Sequence, residues 1–350
     1  MTKAPSDLRV TAVLVNYRTP DLTLECLRAL SRERGALGAL DAIVVDGGSG
    51  DGSAEVLGGA LSAPAFADWV TLLPMAFNGG FGWANNQAIR HALGRANPPD
   101  FLYIVNPDAV PEPGALVRLV QALIDAPDAA AAGSLLVDEE GRALGSAFRF
   151  PTVRGEFLRG AGTPALGRLL RAPIPLVTAP GDRPVEADWV TGASVLMRAE
   201  TLRQVGLFDE GFFLYFEEVE LMHRFHRAGW RALHVPASRV VHAGGASTGV
   251  KNGASAQRAL PDYWFRSRRR FFARAYGASA ARASGLAWIA GKAVWDFRCR
   301  IGLGRAHAHA PGEREALIRN GLSASDTDRR SAVAAWDSAA GRLPAWKEWE

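Results

Sequence analysis

The chain has 350 residues, 48% hydrophobic and 22% charged, enough apolar content to bury a sizeable core and too much for a disordered chain. Its net charge of +4 is unevenly divided: residues 251–350 hold 18 basic and 9 acidic groups, residues 1–250 hold 22 and 27. A net basic excess confined to the C-terminal segment argues against a nucleic-acid binder, and two distant cysteines, Cys26 and Cys299, exclude a disulfide scaffold or a cysteine metal site.

A reducing, cytoplasmic setting is the expectation. No apolar run has the length of a signal peptide or a membrane span, so the chain is expected to be soluble or to lie on a membrane without crossing it. The first third alternates strand and helix signals. Val10–Val15 is a β-branched run ending at Asn16-Tyr17, followed by a helix start with Thr19 as N-cap and Pro20 at its first position. Ala42–Val45 ends at Asp46, Val70–Leu73 forms a third strand, and Phe101–Val105 runs into Asn106-Pro107-Asp108. Helices are predicted over Trp83–Leu93 and Ala115–Ile124. Apolar strands separated by helices predict a mostly parallel sheet covered on both faces.

Asn16, Asp46, Asn106 and Asp108 all follow the carboxyl ends of strands, the edge where open α/β sheets bind ligands. Turn chemistry explains each one singly but not the set. Asn78-Gly79-Gly80-Phe81-Gly82 precedes a helix, a place that suits free N–H groups facing an anion and equally suits a plain tight turn. It lacks the dinucleotide-binding spacing, and Gly291-Lys292 lacks that of a P-loop. Asp108 suits Mg²⁺ or Mn²⁺ beside a diphosphate, as it also suits a plain Asn-Pro-Asp turn.

The stretch Ala143–Val185 is rich in Gly, Pro and Arg and reads as an irregular insertion or a loop. Order returns at Asp188–Arg198, followed by a helix over Ala199–Val205. At about 100° per residue, Glu218 shares a helix face with Leu221, Met222 and Phe225, while Glu220 points to Arg224 as a surface pair and Glu217 lies between. A carboxylate held between burial and a helix N-terminus is a candidate general base. His223 and His226 read as solvated, and His242 ends an apolar strand.

These motifs, in this order over about 240 residues, resemble the family-2 glycosyltransferases of the GT-A fold, and most of all their bacterial rhamnosyltransferase-like branch. The carriers are VLVNYRTPDL (13–22), IVVDGGSGDGS (43–53), NGGFGWANNQAI (78–89), YIVNPDAVPEPGAL (103–116), WVTGASVLMR (189–198), FDEGFFLYFEEVEL (208–221) and AGWRALHVPASRVVHAGGAST (228–248). The resemblance implies an α/β GT-A nucleotide-diphospho-sugar transferase fold with a C-terminal helical extension. It divides residues 1–250 into a nucleotide-sugar half (1–135) and an acceptor and base half (136–250), followed by a basic tail (251–350).

By the same resemblance, Asn16, Tyr17, Asp46, Asn78, Gly80, Asn106 and Asp108 bind the nucleotide-sugar. Asp108 and His242 hold a divalent cation, Mg²⁺ or Mn²⁺. Glu218 is the base, with Glu217 as the alternative, and Trp189, Thr191 and Gly192 line the acceptor side. The implied reaction is an inverting transfer from a nucleotide-sugar donor, dTDP-rhamnose in this branch, to a glycan or lipid-linked acceptor in surface or exopolysaccharide synthesis. A galactofuranosyl- or hexosyltransferase, or a non-catalytic sugar-binding homologue, uses the same scaffold.

Three positions depart from the family pattern: Gly47 replaces the Asn that usually follows Asp46, and Glu218 and Glu220 replace the two Asp of Glu-Asp-Val-Asp in Glu217-Glu218-Val219-Glu220. In the tail, Asp262 is read as N-cap of a helix over Tyr263–Tyr276. Trp264, Phe265, Phe271 and Phe272 fall on one side, and Arg266, Arg269, Arg270 and Arg274 mostly on the other. Such a helix suits an anionic membrane surface contacted through residues 258–300, or packing on the catalytic domain with its arginines solvated.

Overall fold

A computed structural model describes residues 4–163, 167, 176–178, 181–243, 259–303, 309–322 and 325–349. The run GGASTGVKNGASA (244–256), whose small residues suggest a linker and domain boundary, lies outside them. The strands are β1 (Arg9–Asn16), β2 (Ala39–Asp46), β3 (Val70–Pro74), β4 (Phe101–Val105), β5 (Ala109–Pro111) and β6 (Ala129–Val137). They continue with β7 (Ala147–Phe148), β8 (Val185–Ala187), β9 (Trp189–Val190), β10 (Ser194–Arg198) and β11 (Arg231–His242). Among the described residues, nine strands form one sheet in the order β3-β2-β1-β4-β10-β6-β11-β5, with β8 also on β11.

The four N-terminal strands are parallel, as expected for apolar runs joined by crossover helices. The rest of the sheet is mixed, because β10 enters antiparallel to both β4 and β6. Strand alternation assigns each face. Val10, Ala12 and Leu14 point into one core with Leu27 and Leu119 of α1 (Pro20–Ser31) and α4 (Ala115–Asp125); Leu57 of α2 (Ser53–Leu61) joins them. Val13 points the other way, into a core with Trp83 of α3 (Phe81–Leu93), Leu202 of α6 (Ala199–Val205) and Leu221 and Phe225 of α7 (Glu217–Arg227).

The 143–185 stretch is more ordered than its composition predicts, since it contains β7 and the helix α5 (Val153–Ala161), capped by the Thr152 hydroxyl. Its glycines explain the misreading. A Cβ on Gly160 would stand 2.3 Å from the Trp288 carbonyl, and one on Gly291 would stand 2.0 Å from the Phe157 carbonyl. Both glycines let α5 cross α9 (Ala278–Arg300) backbone to backbone, so they mark a helix contact rather than a loop.

The tail helix α8 (Asp262–Tyr276) follows its predicted span, with Pro261 rather than Asp262 at the cap. Asp262 instead accepts hydrogen bonds from Arg319 and Asn320 of α10 (Glu313–Gly321). The reading of α8 as a helix with solvated arginines is corrected in part: Arg266 is exposed as expected, but Arg269 and Arg274 are half-buried and Arg270 is buried. Phe265, Phe271 and Phe272 are fully buried, and so are Arg268 (0% exposed) and Arg270 (3%). Arg268 pairs with Glu156 of α5 at 2.8 Å, and Arg270 with Asp209 at 2.6 Å. The helix is covered on both sides, by Phe212 and Val219 of the sheet-bearing part on one and by α9 and α10 on the other.

Candidate active site

The strand-end residues gather along the carboxyl edge of the parallel strands. Register places Asn16 of β1 beside Asp46 of β2. The Asn16 amide donates to Asp46 Oδ1 at 2.7 Å, and Asp46 also accepts from the Ser49 backbone N–H (3.1 Å) and hydroxyl (2.6 Å). Asn16 Oδ1 accepts from the Thr19 N–H and the Thr23 hydroxyl, so Thr19 sits at the cap position but donates there rather than capping α1. Both Asn16 and Asp46 are buried, and their network fixes the 46–50 loop. Arg18, absent from the sequence reading, binds Ser49 through its N–H (3.0 Å) and its Nε (3.1 Å) while held at φ 60°. A non-glycine residue in that conformation is costly and here marks the rim beside Tyr17, whose ring it covers at 5.1 Å.

The 78–82 loop takes the tight-turn form of its two readings. The Gly80 N–H is taken by Asn78 Oδ1 at 2.9 Å and the Phe81 N–H by the Phe213 carbonyl at 3.1 Å. These N–H groups therefore do not stand open to an anion. Gly80 has φ 88°, and a Cβ there would stand 2.1 Å from the Phe213 oxygen, so glycine is required where this loop meets the 208–216 loop.

Asn106 and Asp108 lie between β4 and β5, with the Asn106 N–H bonded to the Ala193 carbonyl at 3.0 Å. Antiparallel pairing of β5 with β11 brings His242 opposite Ala109, and His242 Nε2 lies 3.3 Å from Asp108 Oδ1. His242 Nδ1 is buried with no hydrogen-bond partner among the described residues. No cluster of three or more His, Cys, Asp or Glu suited to a metal occurs among the described residues. A carboxylate and an imidazole alone fit Mg²⁺ or Mn²⁺, which take few protein ligands and complete their shell with substrate phosphates and water.

Glu217 and Glu218 open α7 after a strained turn in which Tyr215 and Phe216 have φ of 68° and 69°. The face assignment needs correction. Glu217 is the buried member (3% exposed), packed near Gly82, and Glu218 is half-buried, its Cβ about 3.9 Å from where a Cβ on Gly192 would lie. Thus Gly192 lies beside Glu218, the Thr191 N–H donates to the Ser146 carbonyl at 3.0 Å, and Trp189 stacks on Phe148 at 4.5 Å. One oxygen of each glutamate is sealed without a hydrogen-bond partner among the described residues.

Burial pushes Glu218 up to about 7, and burial together with the neighbouring Glu218 charge pushes Glu217 well above the usual carboxylate range. Glu220 is not a surface residue but 3% exposed, paired with Arg224 at 2.9 Å and within 3.9 Å of Arg274 of α8. His223 is likewise not solvated: it lies edge-on to Phe150 and Tyr276, and burial lowers it to about 4. His226 is exposed, as expected.

The C-terminal segment 332–349, which the sequence reading did not use, straps these loops together. The Leu207 and Glu210 N–H groups donate to the Ala334 and Ala332 carbonyls at 2.8 and 2.9 Å. The Trp346 indole donates to the Gly79 carbonyl at 2.9 Å, and the Trp83 indole donates to the Arg342 carbonyl at 2.8 Å. The available signal was Trp336, Trp346 and Trp349, a density of large aromatics that solvent-exposed tails rarely carry.

A doubly covered α/β sheet with polar residues at its strand ends, and paired carboxylates across the same edge, has the layout of a nucleotide-sugar transferase. The profile of the "glycosyltransferase like family 2" matches residues 6–277, and the chain belongs to that family and is a glycosyltransferase. It is 34% identical over 220 residues to an N-acetylglucosaminyl-diphospho-decaprenol L-rhamnosyltransferase of Mycobacterium tuberculosis, covering 59% of this chain and 67% of that one. It is 28% identical over 170 residues to the rhamnosyltransferase WbbL of Escherichia coli K12, covering 47% and 60%. The mannosyltransferase PcManGT of Pyrobaculum calidifontis, solved with GDP-Man and Mn²⁺, shares the fold with TM-score 0.52 and 17% identity over 91% of this chain and 81% of that one.

Proposed function

We propose that this glycosyltransferase inverts configuration while moving L-rhamnose from dTDP-rhamnose to a hydroxyl of a lipid-linked N-acetylglucosaminyl diphosphate in surface polysaccharide synthesis. Both relatives are rhamnosyltransferases, which supports the sugar, and the name of the Mycobacterium tuberculosis relative, with its N-acetylglucosaminyl-diphospho-decaprenol, supports the acceptor. The observation that carries it is the raised carboxylate Glu218 against Gly192, across one sheet edge from Asn106, Asp108 and His242. In the reaction the acceptor oxygen bonds to the anomeric carbon as that carbon's bond to the diphosphate oxygen breaks on the opposite side. Glu218 takes the hydroxyl proton, a role its raised affinity for protons suits near neutrality. Beside it, burial and the Glu218 charge hold the Glu217 carboxyl well above the usual range, so Glu217 keeps its proton when Glu218 ionises and Glu218 is the member free to act as base.

Asp108 and His242 would hold a divalent cation, which when bound offsets charge on the leaving diphosphate. Asn16, Asp46 and Ser49 fix the nucleotide side with Tyr17 at its rim, Asn78 and Gly80 shape the turn facing the sugar phosphates, and Trp189, Thr191 and Gly192 line the acceptor side. Residues 1–135 thus carry the donor and 136–250 the acceptor and base, with 251–350 as brace.

No helix among the described residues is long and apolar enough to cross a membrane. We assign contact with an anionic membrane to α9 rather than α8. Leu286, Val294, Phe297, Ile301 and Leu303 are 36–66% exposed along one stripe, flanked by Arg282, Arg298 and Arg300. The test of the function is nucleoside-diphosphate release from a donor panel with a lipid-linked acceptor. dTDP-rhamnose should give the highest rate, Glu218→Gln should cost about 10²–10⁴-fold in turnover, and a chelator should abolish transfer that Mg²⁺ or Mn²⁺ restores. Preference for another donor would overturn the sugar assignment, and normal turnover in Glu218→Gln the base.

A further inference from the structure

A cavity of about 330 Å³ lies between α8, the 208–216 loop and the C-terminal strap, apart from the strand-end site. Its walls include the rings of Phe213, Tyr263, Trp346 and Trp349 and the guanidinium groups of Arg266 and Arg269. The Asp328 carboxylate in the wall is engaged by Arg269 at 2.8 Å and by the Ser325 N–H at 2.7 Å. Arg270 is committed to Asp209 and to the Thr327 and Arg330 carbonyls, so it builds the wall. The lining therefore combines net positive charge with aromatic faces, the chemistry of a site for a sugar bearing phosphate.

The cavity shares its wall with the reaction site. Phe213 and Trp346 meet edge-on at 5.0 Å; the Phe213 carbonyl holds the Phe81 N–H, and the Trp346 indole holds the Gly79 carbonyl. On another side Tyr263 stacks on Tyr215, two residues before Glu217. The turn at Gly277 folds α8 and α9 into an antiparallel pair, so that Phe265 and Trp264 pack with Trp288 and Ile289. Tyr263 and Arg266 consequently sit at the same end of the pair as the exposed apolar stripe of α9.

Resting on the acceptor reading above, we propose that this cavity is the subsite for the diphosphate of a lipid-linked acceptor. Arg266 contacts the phosphates, Arg269, held by Asp328 and the Asn320 carbonyl, builds the positive wall with Arg270, the rings contact the adjoining sugar, and the lipid runs toward α9. A free nucleotide would meet the same charge but has no reason to share an end with the apolar stripe.

The test uses the full-length enzyme with two acceptors, N-acetylglucosamine on a farnesyl diphosphate and N-acetylglucosamine as an alkyl glycoside without phosphate. Wild type should favour the diphosphate acceptor in kcat/KM. Arg266→Glu should reduce that preference by about tenfold or more through the acceptor KM, and Arg266→Lys should retain most of it. A preference within about twofold of wild type in Arg266→Glu overturns the subsite while leaving the acceptor reading intact. A wild type that transfers to neither acceptor overturns that reading and the subsite with it.

Discussion

The surface of residues 1–135 and the helix α8 hold ion pairs of opposite kinds. In the first, arginines such as Arg34 pair at the surface: its bond to Asp68 joins side chains 37% and 61% exposed. In the second, Arg268 at 0% and Arg270 at 3% exposure are enclosed with Glu156 and Asp209. Buried pairs need not add net stability, but removing one partner leaves a charge stranded in a low-dielectric interior. The basic tail is thus keyed to acidic residues of the catalytic unit, and its excess charge is partly internal.

The largest expected effect sharpens that contrast. Arg268→Ala should lose about 3–5 kcal/mol in denaturant unfolding, against at most about 1 kcal/mol for Arg34→Ala. Equal losses would break the comparison.

The next concerns pH, and its sign is set by the raised carboxylate. The folded state binds the Glu218 proton more tightly than the unfolded state does, so ionisation lowers stability as pH climbs from the ordinary 4.5 through about 7. Activity has the reverse sense, because the base form is lost as pH falls through about 7. Glu218→Gln should therefore be inactive yet more stable than wild type above pH 7, a pairing that thermal melts across pH would reveal.

Smaller still, Trp346→Phe removes the bond to Gly79 and should cost about 1 kcal/mol, read as a raised donor KM with kcat little changed. Last, Phe297→Asp with Ile301→Asp should weaken sedimentation with anionic vesicles and leave transfer to a soluble acceptor intact. The same binding as wild type would remove α9 from the membrane.

The two regions also differ in how far they could be read from sequence. Phe101–Val105 and Ala199–Val205 were legible to the residue, since their periods and their flanking Asn-Pro or Gly are local signals. Strand-end polar residues were legible for the same reason. Glu220 and His223 were misread because helical arithmetic assigns residues to faces but cannot tell which faces a later segment covers. Arg268, which spoils the apolar face of α8, is the residue that Glu156 requires, 112 positions away.

By itself, then, the sequence determined the parallel half of the sheet, the identity of the edge residues and the family, all properties of short windows in fixed order. Tertiary structure alone decided that β10 enters antiparallel, that Phe213 closes the Gly80 turn, that Glu217 and Glu220 are buried, and that the tail packs inward. Each of these depends on contacts between residues far apart in the chain, where burial and charge pairing override the local pattern.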